Sequence, residues 1–254
     1  MLPHAFRRQG RPTVLGHRGA PRQRPENTLE SFELALADGA DGIELDVMRC
    51  QSGELVVVHD PVLTRLAGQP LAVRKTPWST LRSLDVGSHL DPRFAAARLP
   101  LLGELLAALP RTALINIELK DTGFPDFGLA YAVADLLSGL PSCERFLVSS
   151  FHPWLLATFT RALPTVATAF LFGEAQRFGA QRARLARFAH ATALNPSLAL
   201  CTATSLRWWR AQHYGLCVWT VDEPAVAQAL FTAGVDCVIS NEPGAVAAAF
   251  RPHG

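Results

Sequence analysis

Cysteine is sparse and scattered in this chain of 254 residues. Cys50, Cys143, Cys201, Cys217 and Cys237 are odd in number and contain no C-x-x-C pair. They indicate neither a disulfide framework nor a zinc site, and they suit a reducing compartment. Long apolar runs are missing too: no stretch approaches the roughly 18 apolar residues of a membrane-spanning helix. The N-terminus, MLPHAFRRQGRPT, is basic but has no apolar segment before Val14 of the kind a secretory leader carries. The expectation is a cytoplasmic protein with no stable membrane anchor. Charge of one sign is also lacking, since the net value is only +2. With no basic patch, nucleic acid is not an expected partner. Arg177, Arg182, Arg184 and Arg187 read as the solvated face of a helix near 178–190. There is no tight internal repeat, and nothing in the chain speaks to its oligomeric state.

Apolar residues, in contrast, make up 49% of the chain and charged residues 18%, enough for one globular domain over 1–254 with a substantial core. Short β-branched runs end in charged or imidazole side chains. Val14-Leu15-Gly16 leads into His17-Arg18, Ile43–Val47 carries Glu44 and Asp46, and Leu55–Val58 leads into His59-Asp60. Such runs read as buried parallel strands that deliver a site at their C-terminal ends. Side chains alternate along a strand, so Glu44 and Asp46 share a face, as do Asn116, Glu118 and Lys120 in Ile115–Lys120. Carboxylates held side by side repel unless a cation lies between them. Glu44, Asp46 and Glu118 are therefore expected to hold one divalent cation, Mg2+ or Ca2+, through hard oxygen ligands. Lys120 would hold an anion beside it.

Further along, strand, polar cap, proline, helix and glycine recur as in βα units. Strands are expected at Thr13–His17, Ile43–Val47, Leu55–His59, Thr112–Lys120, Phe146–Ser150, Thr165–Phe172, Ala193–Pro196, Leu216–Val221 and Val235–Ser240. With the chain length, these predict a (β/α)8 TIM barrel. Nine candidates compete for eight places; the weak Ala193–Pro196 segment is one candidate to fall outside, and the sequence alone does not decide which does. Residues 1–12 read as a loose arm, and Asn27 as the cap of the helix that follows. Only about eight residues separate the second and third strands, with a turn at Ser52-Gly53 and no room for a helix. A hairpin would place His59 at the wrong end of a barrel, so an extended crossover without a helix is expected, both strands ending at one face. Residues 61–99 are interrupted by prolines and glycines and read as a small, mostly irregular insertion whose Leu81 and Leu84 would cover the barrel mouth. A loop of this length is usually functional, and here it is expected to shape the pocket for a leaving alcohol.

This constellation suits phosphodiester hydrolysis. Arg18 offers a planar fork for phosphate and Lys120 a point charge. His17 and His59 fit an acid/base pair near neutral pH, with His59 favoured as acid and His17 as base, although their order is not readable from sequence. Glu26 reads equally as an assisting residue or a loop contact. The rivals are a Schiff-base aldolase using Lys120, disfavoured because nearby acids keep a lysine protonated, and a binding protein on an inactive barrel.

The segments HRGA, PENTLESF, GIELDV, VVVHDPVLTR and IELK stand in order from His17 to Lys120, and SSFHP, VWTVDEP and GVDCVISNEP follow. In this the chain resembles the glycerophosphodiester phosphodiesterase family over nearly its whole length. The resemblance implies hydrolysis of a small-molecule glycerophosphodiester to sn-glycerol 3-phosphate and an alcohol. It assigns the same roles to the matching residues, and it implies that Trp219 walls the glycerol carbons, unless that ring is a plain core aromatic. The nucleophile is either water or the substrate's own hydroxyl. A phospholipase D-like action on lysolipids or sphingomyelin is the alternative within phosphodiesterases.

Overall fold

The computed structural model describes residues 2–120, 125–174 and 183–251. Nine strands are present: β1 (Thr13–His17), β2 (Gly42–Arg49), β3 (Leu55–Val57), β4 (Leu114–Leu119), β5 (Phe146–Ser150), β6 (Ala167–Phe172), β7 (Ala193–Pro196), β8 (Gly215–Val218) and β9 (Cys237–Ser240). The helices are α1 (Leu29–Ala37), α2 (Thr64–Ala67), α3 (Trp78–Leu81), α4 (Leu102–Ala108), α5 (Phe127–Ser138), α6 (Pro153–Ala162), α7 (Leu185–Phe188), α8 (Ala203–Ala211), α9 (Pro224–Thr232) and α10 (Pro243–Ala248). The sheet runs β1-β9-β8-β7-β6-β5-β4-β2-β3, and β1 also pairs with β2. Every pairing except β2 with β3 is parallel. Eight strands thus close into the expected (β/α)8 barrel, because buried parallel strands with apolar residues on both faces need helices around them.

The strand outside the barrel is β3, not Ala193–Pro196. β7 pairs with β6 and β8 inside the ring, whereas β3 returns antiparallel along β2, with Val47 opposite Val57 and Arg49 opposite Leu55. No helix intervenes, as expected, but the connection is a hairpin rather than a crossover. The prediction erred because β2 overruns the barrel: its pairing with β4 ends at Val47–Leu119, and Met48 and Arg49 pair with β3 alone. The return strand therefore descends onto the mouth from above. The Val58 N–H donates to the Asp46 carbonyl at 2.9 Å, so His59 arrives at the C-terminal face even though its strand points the other way.

Between the strands and the helix ring lies the main core, with Ile43, Leu45, Val47, Ile115, Ile117 and Leu119 facing outward into it. The barrel interior carries a separate apolar cluster of Leu15, Leu114, Leu147, Ala169, Ala193, Cys217, Cys237 and Ile239. Leu2 and Phe6, 2% and 0% exposed, belong to this cluster. The N-terminal segment is consequently a plug beneath the barrel, not a loose arm.

A third cluster joins Met48, Val56, Val58, Leu63, Leu81 and Leu84. Leu81 and Leu84 thus sit in the insertion's own core against the hairpin, and do not lie over the mouth. Of the arginine-rich helix expected near 178–190, α7 is described, with Arg184 and Arg187 exposed. Arg177 and Arg182 lie outside the described residues. α8 stops at Ala211, and Gly215 opens β8.

Candidate active site

The loop between β1 and α1 prepares the site. After β1, Arg18 takes a left-handed backbone conformation at φ 55 and Asn27 does so at φ 58, an arrangement that non-glycine residues seldom adopt and that clusters at functional sites. Hydrogen bonds over-determine both. The Arg18 N–H donates to the Glu44 carbonyl at 2.9 Å, and the Asn27 N–H donates to the Arg18 carbonyl at 3.0 Å. Gly19, at φ +93, lies so close to Ser31 that any Cβ would overlap it. Thr28, not Asn27, caps α1, accepting from the Ser31 N–H. Asn27 is turned inward: its Nδ2 donates to Asp46 Oδ2 at 2.9 Å and its Oδ1 accepts from the Asp46 N–H at 3.3 Å.

Parallel register sets His17 beside Glu44, Glu44 beside Asn116, and Asp46 beside Glu118. One ligand oxygen from each of Glu44, Asp46 and Glu118 lies within 4.8 Å of the others, and the three residues are 3%, 1% and 7% exposed. Burial, then the charges of Asp46 and Glu118, pushes Glu44 well above the ordinary carboxylate range. Burial likewise raises Glu118, to about 7; Lys120 works against this and Asp46 with it. Asp46 goes the other way. Burial opposes its charge, but Lys120 and Arg18 outweigh burial and hold it far below the usual value.

Lys120 Nζ sits 2.8 Å from Glu118 Oε1 and 3.3 Å from Asp46 Oδ1. Burial disfavours its charge, yet Glu118 and Asp46 raise it above the ordinary lysine value. A lysine so firmly protonated is a poor Schiff-base nucleophile. The donor set of three buried, mutually repelling carboxylates fits a hard dication, which would relieve that repulsion.

Arg18 reaches the same place. Its Nε is 3.2 Å from Asp46 Oδ2 and its Nη1 is 3.1 Å from Glu26 Oε1. Arg65 of α2 donates from Nη1 and Nη2 to the two Glu26 oxygens, each at 2.8 Å, and from Nε to Asp60 Oδ2 at 2.8 Å. Asp60 Oδ1 in turn holds His59 Nδ1 at 2.8 Å. Glu26 is thus the contact between Arg18 and the insertion.

His17 Nε2 stands 4.0 Å from Glu44 Oε2, while its Nδ1 faces Asn241 Oδ1 at 2.7 Å. Burial and then Arg18 push His17 down to about 4. Burial also lowers His59, against the pull of Asp46. Trp219 follows β8, half-buried, with its Nε1–H donating to the Asn195 carbonyl at 2.9 Å and its ring edge-on to Phe151 at 5.6 Å. Inside the mouth, the side-chain polar atoms of Asn116, Ser149 and Asn195 are buried without a hydrogen-bond partner among the described residues.

All eight expected residues therefore lie on or beside one end of the barrel. Asn27, Asn241, Arg65 and Phe151 were not expected there. All four stand within the quoted segments PENTLESF, GVDCVISNEP, VVVHDPVLTR and SSFHP, which placed them near the site without giving them a role.

Comparison with known proteins agrees with this geometry. A profile described as the glycerophosphoryl diester phosphodiesterase family matches residues 17–245. A glycerophosphodiester phosphodiesterase of Caldanaerobacter subterraneus is 29% identical over 231 residues, covering 91% of this chain and 94% of that protein. Another, of Bacillus altitudinis, is 36% identical over 160 residues, 62% of this chain and 65% of that protein. Among solved structures, an Oleispira antarctica phosphodiesterase in complex with the product sn-glycerol-3-phosphate superposes with a TM-score of 0.85 at 26% identity, covering 94% of this chain and 96% of that one.

Proposed function

The chain belongs to the glycerophosphoryl diester phosphodiesterase family, and from that premise we propose that it hydrolyses glycerophosphodiesters to sn-glycerol 3-phosphate and an alcohol with the residues gathered at this mouth. The observation that carries the proposal is the convergence of Glu44, Asp46 and Glu118 within 4.8 Å, flanked by His17, Arg18 and Lys120. We assign the three carboxylates to one divalent cation, Mg2+ or Ca2+, which when bound supplies Lewis-acid polarisation of a phosphoryl oxygen.

The chain's own groups do the remaining work. Arg18 and Lys120 face the negative charge of the diester and the further charge that develops on its oxygens. His17 accepts the proton of the attacking oxygen; if that oxygen is of water the product forms directly, and if it is of the neighbouring glycerol hydroxyl a cyclic phosphate forms, which water then opens to sn-glycerol 3-phosphate. His59, backed by the Asp60 carboxylate, donates a proton to the leaving alkoxide as its P–O bond breaks. Trp219 and Phe151 offer an apolar wall to the glycerol carbons. The insertion over 61–99 frames the mouth on the side where the alcohol departs.

In this reading the whole chain acts as one barrel domain in a reducing, cytoplasmic setting. The five free cysteines support that setting. No helix among the described residues is long and apolar enough to cross a membrane.

The test is a panel of glycerophosphocholine, glycerophosphoethanolamine, glycerophosphoglycerol, lysophosphatidylcholine and sphingomyelin, with and without EDTA, for wild type and Glu44→Ala. The expected result is release of sn-glycerol 3-phosphate from the water-soluble diesters, abolished by EDTA, restored by Mg2+ or Ca2+, and absent in the variant. Turnover of the lipids alone, or turnover indifferent to chelator, would overturn the reading.

A further inference from the structure

His17 touches the loop after β9 through Asn241, and Asn241 is held in turn by Asp222 of the loop after β8. We propose that Asp222 and Asn241 are positioning residues that lock His17 in its Nδ1–H tautomer, leaving the lone pair of Nε2 directed into the site. The inference rests on the assignment of His17 as proton acceptor made above, and it concerns how the fold makes that ring an acceptor.

The direction of each hydrogen bond can be worked out from the charged end. Asp222 Oδ1 accepts the Asn241 backbone N–H at 2.7 Å, and Asp222 Oδ2 accepts from Asn241 Nδ2 at 3.0 Å. Burial works against the Asp222 charge, but the bonds from Asn241 and the pairing with Arg22 hold it below the usual carboxylate value. A carboxylate can only accept. The amide nitrogen of Asn241 is therefore committed to Asp222, and its oxygen is the atom that faces His17 Nδ1 at 2.7 Å.

An amide oxygen has no proton to give, so the proton in that contact sits on Nδ1. Turning the amide over would set its oxygen against the Asp222 carboxylate and lose a charge-assisted bond. The tautomer of a histidine follows from the partner of its other nitrogen, and here that partner is an amide, which gives direction without charge. His59 differs, since its Nδ1 partner is the carboxylate of Asp60. The two imidazoles are thus held by the same nitrogen but by partners of different charge.

The experiment is a two-bond 1H–15N histidine spectrum of the full chain, with the His17 signals assigned by difference from His17→Gln. Wild type is expected to show the Nδ1–H pattern. Asn241→Ala is expected to move His17 toward Nε2–H and to lower kcat about 10²-fold, a loss of the size of a misplaced general base, with KM changed by less than about threefold. Pairing Asn241→Asp with Asp222→Asn keeps a carboxylate acceptor facing Nδ1 and restores an amide donor between the two side chains, so this double variant is expected to retain the tautomer and recover most of kcat. If Asn241→Ala does not fold, Asp222→Asn, which removes one of the two acceptors for Asn241, reads the same signals with a smaller shift. An Nε2–H pattern in wild type, or an Asn241→Ala enzyme unchanged in both tautomer and kcat, would overturn the proposal. The spectrum needs no substrate, so a chain that cleaved no glycerophosphodiester would remove the proposed function while the tautomer could still be read.

Discussion

The two ends of the barrel interior are built on the same strands and could hardly differ more. On β1 the interior position steps from Leu15 to His17. On β4 it steps from Leu114 to Asn116 and Glu118, on β5 from Leu147 to Ser149, and on β7 from Ala193 to Asn195. The lower layer is apolar and sealed by Leu2 and Phe6. The upper layer holds three buried carboxylates, two cations pressed between them, and polar side chains of Asn116, Ser149 and Asn195 with no partner among the described residues. A buried unpaired polar group costs about 1–3 kcal/mol, and buried like charges cost more still, so the upper layer works against folding. The difference teaches that the stability of the barrel resides below and around the site, while the mouth is kept in an uncomfortable state suited to holding a cation and a phosphodiester.

The strongest way to break this comparison is Glu44→Gln. The substitution removes one carboxylate from a cluster in which burial, Asp46 and Glu118 already push Glu44 toward its neutral form. Hydrolysis of glycerophosphocholine is expected to fall at least about 10³-fold, roughly 4 kcal/mol of transition-state stabilisation. The melting temperature of the metal-free protein is expected to hold or rise. A clear drop in melting temperature alongside the lost activity would show that the mouth contributes to the scaffold after all.

Phe6→Ala tests the other end. Its ring is 0% exposed beneath the barrel, and removing a buried phenylalanine side chain leaves a cavity worth about 3–5 kcal/mol. Denaturant unfolding should show that loss, while kcat at a temperature below the transition stays within about twofold of wild type. A catalytic defect as large as the stability defect would mean the two layers are mechanically coupled.

A third prediction follows from the raised carboxylates. Glu118 has a folded value of about 7 against an ordinary 4.5, so the folded state binds more protons than the unfolded one between those limits. Stability from such a group is present at low pH and is lost as pH rises through the folded value. The lowered histidines act in the opposite sense, and their effect fades as pH rises through and past their ordinary value of 6.5. From about pH 7 to 8, therefore, the carboxylates dominate. The chelated protein should lose stability with rising pH, by at most about 1.4 kcal/mol per unit for each group. Adding Mg2+ or Ca2+ should flatten that slope, because a bound cation favours the charged carboxylates. Thermal melts across this range with and without EDTA would check it, and stability that climbs with pH in the chelated protein would contradict it.

The same contrast explains what could be read in the chain before folding. Glu44 with Asp46, and Asn116 with Glu118 and Lys120, were legible because alternation along a strand is a local rule that needs no knowledge of partners. The direction of β3 was not, since it depends on how far β2 projects beyond the ring, and a β-branched run looks alike in either direction. Leu2 and Phe6 carry no periodicity, so nothing marked them as a plug. Asn27 reads as a helix cap because the residue types that cap helices are also those that orient a carboxylate. Sequence therefore pointed to the groups that the fold gathers at one mouth but not to their holders: a side chain proposed to react is marked by its type, whereas a positioning side chain is known only by what it touches.

Arg65 offers the smallest effect and the sharpest use of the comparison, because it belongs to neither end. Its side chain is 47% exposed, and it joins Glu26, which holds Arg18, to Asp60, which holds His59. Exposed ion pairs usually contribute about 0–1 kcal/mol each, so Arg65→Ala should leave the melting temperature within a few degrees of wild type. If the insertion serves the mouth, kcat/KM should nonetheless fall about three- to tenfold, since Arg18 and His59 would each lose a brace. Because salt screens exposed pairs within a few ångströms at high concentration, the wild-type enzyme in 1 M salt should drift toward the variant while the variant changes less. An Arg65→Ala enzyme with full activity and lowered stability would reverse the assignment, placing α2 with the scaffold below and leaving the mouth to the barrel strands and the β2–β3 hairpin alone.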